Sequence, residues 1–202
     1  MMKTKLSNQI KLLLILFFIN GNNFFAQTSI TSTATITQSL TGFVGTSSTI
    51  PANWKLEGSG TNGNNYAGSS QTTNSAGGWY GNDNISYLGS GSANNGNATW
   101  KLQNNSGSII TDFNLSFDAR MWKSASASPK VTISYSISSS ATYPVAGNLN
   151  SISSLTFSDS TANILTGTNL SALVSGLTIN NGDYLYIRFI HAGGSNSDNL
   201  GW

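Results

Sequence analysis

The chain has 202 residues and no cysteine, and Ser, Thr, Asn and Gly together fill 100 positions while charged residues make up 8%. A helical bundle needs Ala, Leu, Glu, Lys and Arg in quantity, and Glu57 is the only glutamate, so that class is excluded together with disulfide-stapled scaffolds. Seven lysines and two arginines argue against a nucleic-acid binder built on a basic patch, and 38% hydrophobic with 10% aromatic residues argues against charge-driven disorder.

Residues 1–26 read as a signal peptide. Lys3, Lys5 and Lys11 precede the unbroken apolar run Leu12 to Ile19, and Ala26 supplies the small residue at a break before Gln27. That run is far shorter than the roughly 20 apolar residues a spanning helix needs. No membrane span is expected after cleavage, and the expected location is secreted or at the cell surface. Removing the leader leaves six basic and seven acidic residues. The pI of 8.9 therefore describes the precursor and points to no anionic partner. Residues 27–202 fit one domain.

In chain order, Ile30 to Ile36 and Trp54 to Glu57 are short strand candidates. Residues 58–83 read as a long polar loop or a pair of irregular crossings, with Tyr66, Trp79 and Tyr80 as large apolar side chains. Ile85 to Leu88 follows, and then Ala98, Trp100 and Leu102 alternate against Thr99, Lys101 and Gln103. Asp112 to Met121 alternates throughout, with Phe113, Leu115, Phe117, Ala119 and Met121 on one parity, which marks a strand with one wet face. Val131, Ile133, Tyr135 and Ile137 repeat the pattern. Ile152 to Phe157 and Leu177 to Ile179 are further strand candidates, whereas Asn169 to Ser175 reads as one helical turn at most. Asn180-Asn181-Gly182-Asp183 is a tight-turn signal. Tyr184 to His191 is apolar on both parities, as in a central strand covered on both sides, with Arg188 interrupting its second face. Short strands joined by Ser, Asn and Gly loops predict an all-β, antiparallel β-sandwich of jelly-roll type.

The order of landmarks carries a resemblance. Ile50-Pro51-Ala52-Asn53-Trp54, Ser86-Tyr87-Leu88-Gly89-Ser90-Gly91, and Asn104 to Ile110 leading into Leu115 to Trp122 come in series. Thr132 to Ser136, Leu185 to Phe189 and Asp198 to Trp202 complete it. This resembles a jelly-roll module of exported Bacteroidetes proteins, similar to cleaved-adhesin and MAM-like sandwiches and often found in cargo of the type IX secretion system. The Ala26-Gln27 junction resembles the export signals of the same bacteria. The likeness covers roughly residues 40–202. In the family the last motif runs on through two aspartates into a closing strand, so the resemblance implies a sandwich incomplete at its C-terminus.

Catalytic chemistry has few candidates. Glu57 with Asp118 is the conceivable glycosidase pair, and a serine with His191 and an aspartate the conceivable nucleophilic set; neither has a supporting motif, so no catalytic residues are assigned. Asp198, with backbone carbonyls of Gly193, Gly194 and Asn199, is the candidate calcium site. Arg120 and Arg188 offer either a sheet-face site for a carboxylate or sugar, or a cross-strand ion pair with Asp118 as partner. Trp54 and Trp100 match the core parity. Trp79, Tyr80 and Trp122 are the aromatics expected to be exposed to a glycan or protein. The sequons beginning at Asn84, Asn97, Asn104, Asn114 and Asn169 follow from composition, and Asp159-Ser160-Thr161 looks like an O-glycosylation site of exported Bacteroidetes proteins. The expected function is a non-catalytic extracellular module binding glycan or a surface partner. The alternative is an accessory domain of an exported nuclease, peptidase or glycosidase whose catalytic domain lies beyond Trp202; a purely structural envelope component is a third class.

Overall fold

Alternating apolar and hydroxyl residues leave the chain one way to bury its apolar side, which is to face two sheets against each other. The computed structural model describes residues 28–31, 35–58, 66, 78–90, 95–123, 130–145, 148–158, 167–193 and 196–202. The expected leader, most of the polar segment 58–83 and the Asp159-Ser160-Thr161 motif lie outside the described residues. The strands are β1 Ser29–Ile30, β2 Trp54–Gly58, β3 Gly78–Tyr80, β4 Ser86–Ser90, β5 Gly96–Asn104, β6 Ile110–Lys123, β7 Lys130–Ser138, β8 Asn150–Ser151, β9 Phe157–Ser158, β10 Thr168–Ile179, β11 Tyr184–Ala192 and β12 Asn196–Gly201. One sheet runs β1-β5-β11-β7-β8, with β2 also paired to β5 and β9 to β7; the other runs β10-β6-β12-β4-β3. Every pair is antiparallel except β1 with β5. From β5 to β12 the chain passes back and forth between the sheets, giving the expected antiparallel sandwich of jelly-roll type.

The core lies between the sheets. From the seven-stranded side come Trp54, Leu56, Ala98, Trp100, Leu102, Val131, Ile133, Leu185, Ile187 and Phe189; from the other come Trp79, Ile85, Tyr87, Leu115, Ala119, Met121, Leu177, Ile179 and Trp202. Phe189 is the meeting point, stacked on Trp202 at 4.2 Å, edge-on to Phe117 at 5.1 Å and tilted to Trp54 at 6.0 Å. Two residues along β5 from Ala98, the partner of Phe189, the sheets come close together. A Cβ on Gly96 would lie 2.6 Å from the Tyr87 ring, so only a glycine fits there.

Three elements differ from the sequence expectation. Residues 169–175 are not a helical turn but part of the long strand β10: Leu170, Ala172 and Val174 face the core, while Leu173, 68% exposed on the wet parity, masks the alternation. Ile152 to Phe157 is not one strand. Ser153–Leu155 forms a 3₁₀ turn between β8 and β9, and this puts Ile152, Leu155 and Phe157 into the core. The segment from Ile30 holds only the two-residue strand β1. The Asn180 to Asp183 turn is present, with Gly182 at φ 94 and the Asp183 carboxylate accepting from the Asn180 backbone N–H at 3.0 Å, and it carries the chain from one sheet to the other.

Buried Asn104 ties that turn to the next. Its side-chain amide donates to the carbonyls of Ser108 and Ile179, both at 2.8 Å, and its Oδ1 accepts from the Ser106 backbone N–H at 3.0 Å and hydroxyl at 2.7 Å. No other side chain of this size supplies two donors and an acceptor together. Asn104→Ala is therefore expected to destabilise the domain by about 2–4 kcal/mol, because it removes the donor to the buried Ile179 carbonyl and the acceptor for Ser106. Urea unfolding checks this; an unchanged midpoint would contradict it.

Candidate functional site

The register of the seven-stranded sheet builds its outer face row by row. Lys55, Thr99, Arg188, Ser134 and Ser151 stand in one cross-strand row, and Lys101, Tyr186 and Ser136 stand in the next. Tyr184 follows one row further along β11, next to Gln103 and Ser138. Neighbouring strands lie about 4.8 Å apart, so these side chains form a continuous patch.

The loop after β7 folds over this patch and is held by two bonds. Tyr186 donates its hydroxyl hydrogen to the Ser140 carbonyl at 2.6 Å, and Arg188 donates through Nη2 to the Pro144 carbonyl. Arg188 also donates through Nε to Thr99 Oγ1 at 2.9 Å, and it is only 3% exposed. The same loop delivers Tyr143, half-buried, with its ring 5.7 Å from that of Tyr186. The ammonium of Lys101 sits 5.1 Å from the Tyr143 ring and 5.9 Å from the Tyr184 ring, while that of Lys55 sits 5.7 Å from Tyr143 and pairs with Glu57. Burial pushes the Arg188 pKa down and the Glu57 carboxylate pushes it back up; a guanidinium stays charged under either influence. Burial, then the charge of Glu57, raises the Tyr143 phenol. The patch thus presents two half-exposed aromatic rings, two lysine ammonium groups and one carboxylate over a buried arginine.

The structure scatters the residues that the sequence singled out. Trp79 and Tyr80 are not exposed: β3 pairs with β4 at the end of the five-stranded sheet, both side chains are fully buried, and Trp79 packs edge-on to Tyr87 at 4.8 Å. The polar composition around them concealed a strand. Arg120 and Trp122 come together, half-buried on the outer face of the opposite sheet, with the guanidinium 5.5 Å from the indole. Arg188 bonds Thr99 and Pro144, and Asp118 accepts from Asn169 Nδ2 at 2.9 Å, so of the two arginines offered as cross-strand partners of Asp118, Arg188 takes neutral partners instead. His191 is buried, with its ring 5.1 Å from Tyr87. The Asp198 backbone belongs to β12, and its side chain lies outside the described residues. Glu57 lies on the outer face of one sheet and Asp118 on the outer face of the other, by the parity of Leu56 and Ala119 in the core.

Tyr143, Tyr184, Lys55 and Lys101 were missed as site residues. Lys55 and Lys101 are the wet-parity neighbours of Trp54 and Trp100, and Tyr184 belongs to the second face of β11, so three of the four had a signal in the alternation. Tyr143 arrives from a loop and had none.

Neither a protein-family model nor a curated protein matches the chain. Solved structures similar to it include the carbohydrate-binding module TmCBM61 in complex with β-1,4-galactotriose, at 11% identity and a TM-score of 0.38 over 73% of this chain and 82% of that one. They also include the CBM22-1-GH10 modules of Clostridium thermocellum xylanase 10B complexed with xylohexaose, at 14% identity and a TM-score of 0.29 over 73% of this chain and 24% of that one. A third is the K3 cleaved adhesin domain of Lys-gingipain from Porphyromonas gingivalis, at 16% identity and a TM-score of 0.28 over 75% of this chain and 92% of that one. No helix among the described residues is long and apolar enough to cross a membrane.

The phenols give a pH prediction. Burial pushes Tyr80, Tyr87 and Tyr186 up to about 12, with Tyr184 and Tyr143 adding to the effect on Tyr186. Unfolded tyrosines titrate near 10, so above that pH the unfolded chain has lost protons that the folded one retains. Stability is then expected to be insensitive to these groups below about pH 10 and to fall as pH rises from about 10 to about 12, with Tyr186→Phe making the fall shallower. Urea midpoints at stepped alkaline pH test this, and a flat profile would refute it.

Proposed function

We propose that this protein is a non-catalytic, exported module that binds glycan through the outer face of its seven-stranded sheet. The observation that carries the reading is the pairing of half-exposed Tyr143 and Tyr184 rings with Lys101 between them. A sugar ring offers an apolar face of C–H groups and a rim of hydroxyls. Tyrosine faces suit the first, and Lys55, Lys101 and Glu57 supply donors and acceptors for the second. Arg188 and Tyr186 take no direct part; they fix the loop that carries Tyr143.

The non-catalytic part rests on the acids. Hydrolysis of a glycosidic bond uses two carboxyl groups about 5–10 Å apart. Glu57 and Asp118 are separated by both sheets, which alone stand about 10 Å apart. Export follows from the basic, apolar and small-residue order of residues 1–26.

A glycan array on the protein from Gln27 onward is expected to give a defined set of binders. Tyr143→Ala and Tyr184→Ala are each expected to weaken binding by about tenfold or more while leaving the thermal midpoint within a few degrees, as for aromatic anchors of an interface. An empty array, or affinity unchanged in both variants, would contradict the glycan reading. Turnover of any glycan that is abolished by Glu57→Ala or Asp118→Ala would contradict the non-catalytic one.

A further inference from the structure

Charge is not spread evenly over the two outer faces. By strand parity, Lys55, Lys101, Lys130 and Arg188 all belong to the outer face of the seven-stranded sheet, four of the six basic residues that follow the leader. Of the seven acidic residues, Glu57 is the only one whose side chain shares that face among the described residues. Asp112 and Asp118 lie on the outer face of the other sheet. The Asp183 carboxylate is taken up by its own turn, where it accepts from the backbone N–H and the side-chain amide of Asn180 at 3.0 and 2.9 Å. A nearly balanced total charge thus conceals one face with a surplus of cations.

The four cations differ in what already answers them. Lys55 pairs with Glu57, and buried Arg188 bonds Thr99 and the Pro144 carbonyl. Lys130 lies opposite Ala192, eight residues along β11 from Tyr184, which is about 26 Å of strand. Lys101 is the cation at the tyrosines, 5.1 Å from the Tyr143 ring and 5.9 Å from that of Tyr184. Its ammonium forms no ion pair and none of its N–H groups meets an acceptor among the described residues. Ring faces attract an ammonium but do not neutralise it. Glu57 does not either: it stands opposite Asn97, four residues along β5 from Lys101, with Lys55 in the row between. That is about 13 Å of strand, against a screening length of about 8 Å in physiological salt.

We propose that the glycan taken by this face is anionic, with one sugar ring resting on Tyr143 or Tyr184 and its carboxylate or sulfate on the Lys101 ammonium. The inference rests on the reading of this face as the glycan site and adds the substrate class. In a hexuronic acid the carboxylate is attached at the rim of the ring, and a sulfate ester takes the place of a rim hydroxyl. A ring seated by its C–H face on a tyrosine therefore carries its charge sideways, toward an ammonium that stands 5.1 and 5.9 Å from the two rings. A charge-assisted hydrogen bond is about twice as strong as a neutral one, so Lys101 favours the acidic sugar over the neutral sugar of the same shape. The surplus of Lys55, Lys130 and Arg188 over Glu57 acts in the same direction, since it spares an approaching anion the repulsion that a balanced face would offer.

The test is calorimetric titration of the protein from Gln27 onward with galacturonic, glucuronic and mannuronic acid oligosaccharides. Each is run beside the neutral oligosaccharide made by reducing its carboxyl groups, and beside the sulfate ester of that neutral form. At least one charged form is expected to bind about tenfold or more tighter than its neutral counterpart. Lys101→Gln, which keeps a hydrogen-bonding side chain and removes the charge, is expected to abolish that preference and leave the neutral affinity little changed. Lys130→Gln, on the same face but remote from the tyrosines, is expected to leave the preference intact. Preference for the carboxylate alone, or for the sulfate as well, supports the proposal and identifies the anion. Equal affinity for charged and neutral forms, still weakened by Tyr143→Ala, overturns the anionic class and leaves the glycan reading standing. Binding of no form, or binding indifferent to both tyrosines, overturns the glycan reading and this inference with it. A preference that survives Lys101→Gln, or that Lys130→Gln removes equally, overturns the assignment to Lys101.

Discussion

β11 is hydrogen-bonded along its length to β5 on one side and β7 on the other and is covered on both faces, and the remainder of the sandwich is arranged around that double burial. Inward, Phe189 gathers Trp54, Phe117 and Trp202 into one aromatic cluster that joins the two sheets. Outward, Tyr186 and Arg188 cannot be left under a loop with unmet polar atoms, so they hold the loop by its carbonyls. Burying a guanidinium costs several kcal/mol, and charge-assisted bonds of about 1.5–3 kcal/mol each offset it, together with the nearby Glu57 carboxylate. The polar interruption is what brings Tyr143 to the surface.

The composition finds its explanation in the same arrangement. Serine and threonine occupy wet strand faces, where Asn169, Ser171, Asp118 and Asn114 form a ladder of side-chain hydrogen bonds across β6 and β10. Other asparagines and glycines sit where the backbone turns, as at Asn53 with φ 66 and Gly182 with φ 94. Asn104, at the end of β5, is buried and bonds inward, so its sequon asparagine is a packing residue. Residues 27–202 carry six basic and seven acidic side chains, so the proposed recognition on this face rests on hydroxyl, amide and ring contacts, with Lys55 and Lys101 as local cations on the tyrosine patch.

Long alternation made the fold legible. β5, β6, β7 and β11 were readable because their apolar residues keep one parity for several steps, and the two-sided character of β11 was visible in the same way. β10 was hidden by Leu173 alone, an apolar residue on a wet face. β3 is hidden by its polar surroundings, which place Trp79 and Tyr80 on the surface by composition, whereas pairing with β4 buries both. The candidate face was half legible: Arg188 was singled out, but its partners come from Thr99 and from the carbonyl of Pro144, and no local pattern announces a loop folding back over a sheet.

Buried Arg188 fixes the loop that carries Tyr143 and so shapes the proposed binding face. Arg188→Met keeps the length and apolar stem of the side chain while removing the charge and both bonds, and replacing a buried ion by an apolar residue is often neutral for stability. Titration of this variant with the best array ligand, by calorimetry, is the direct measurement. The predicted result is a thermal midpoint close to the parent's with affinity reduced by about tenfold or more, the equivalent of about 1.4 kcal/mol. An affinity equal to the parent's would contradict the account.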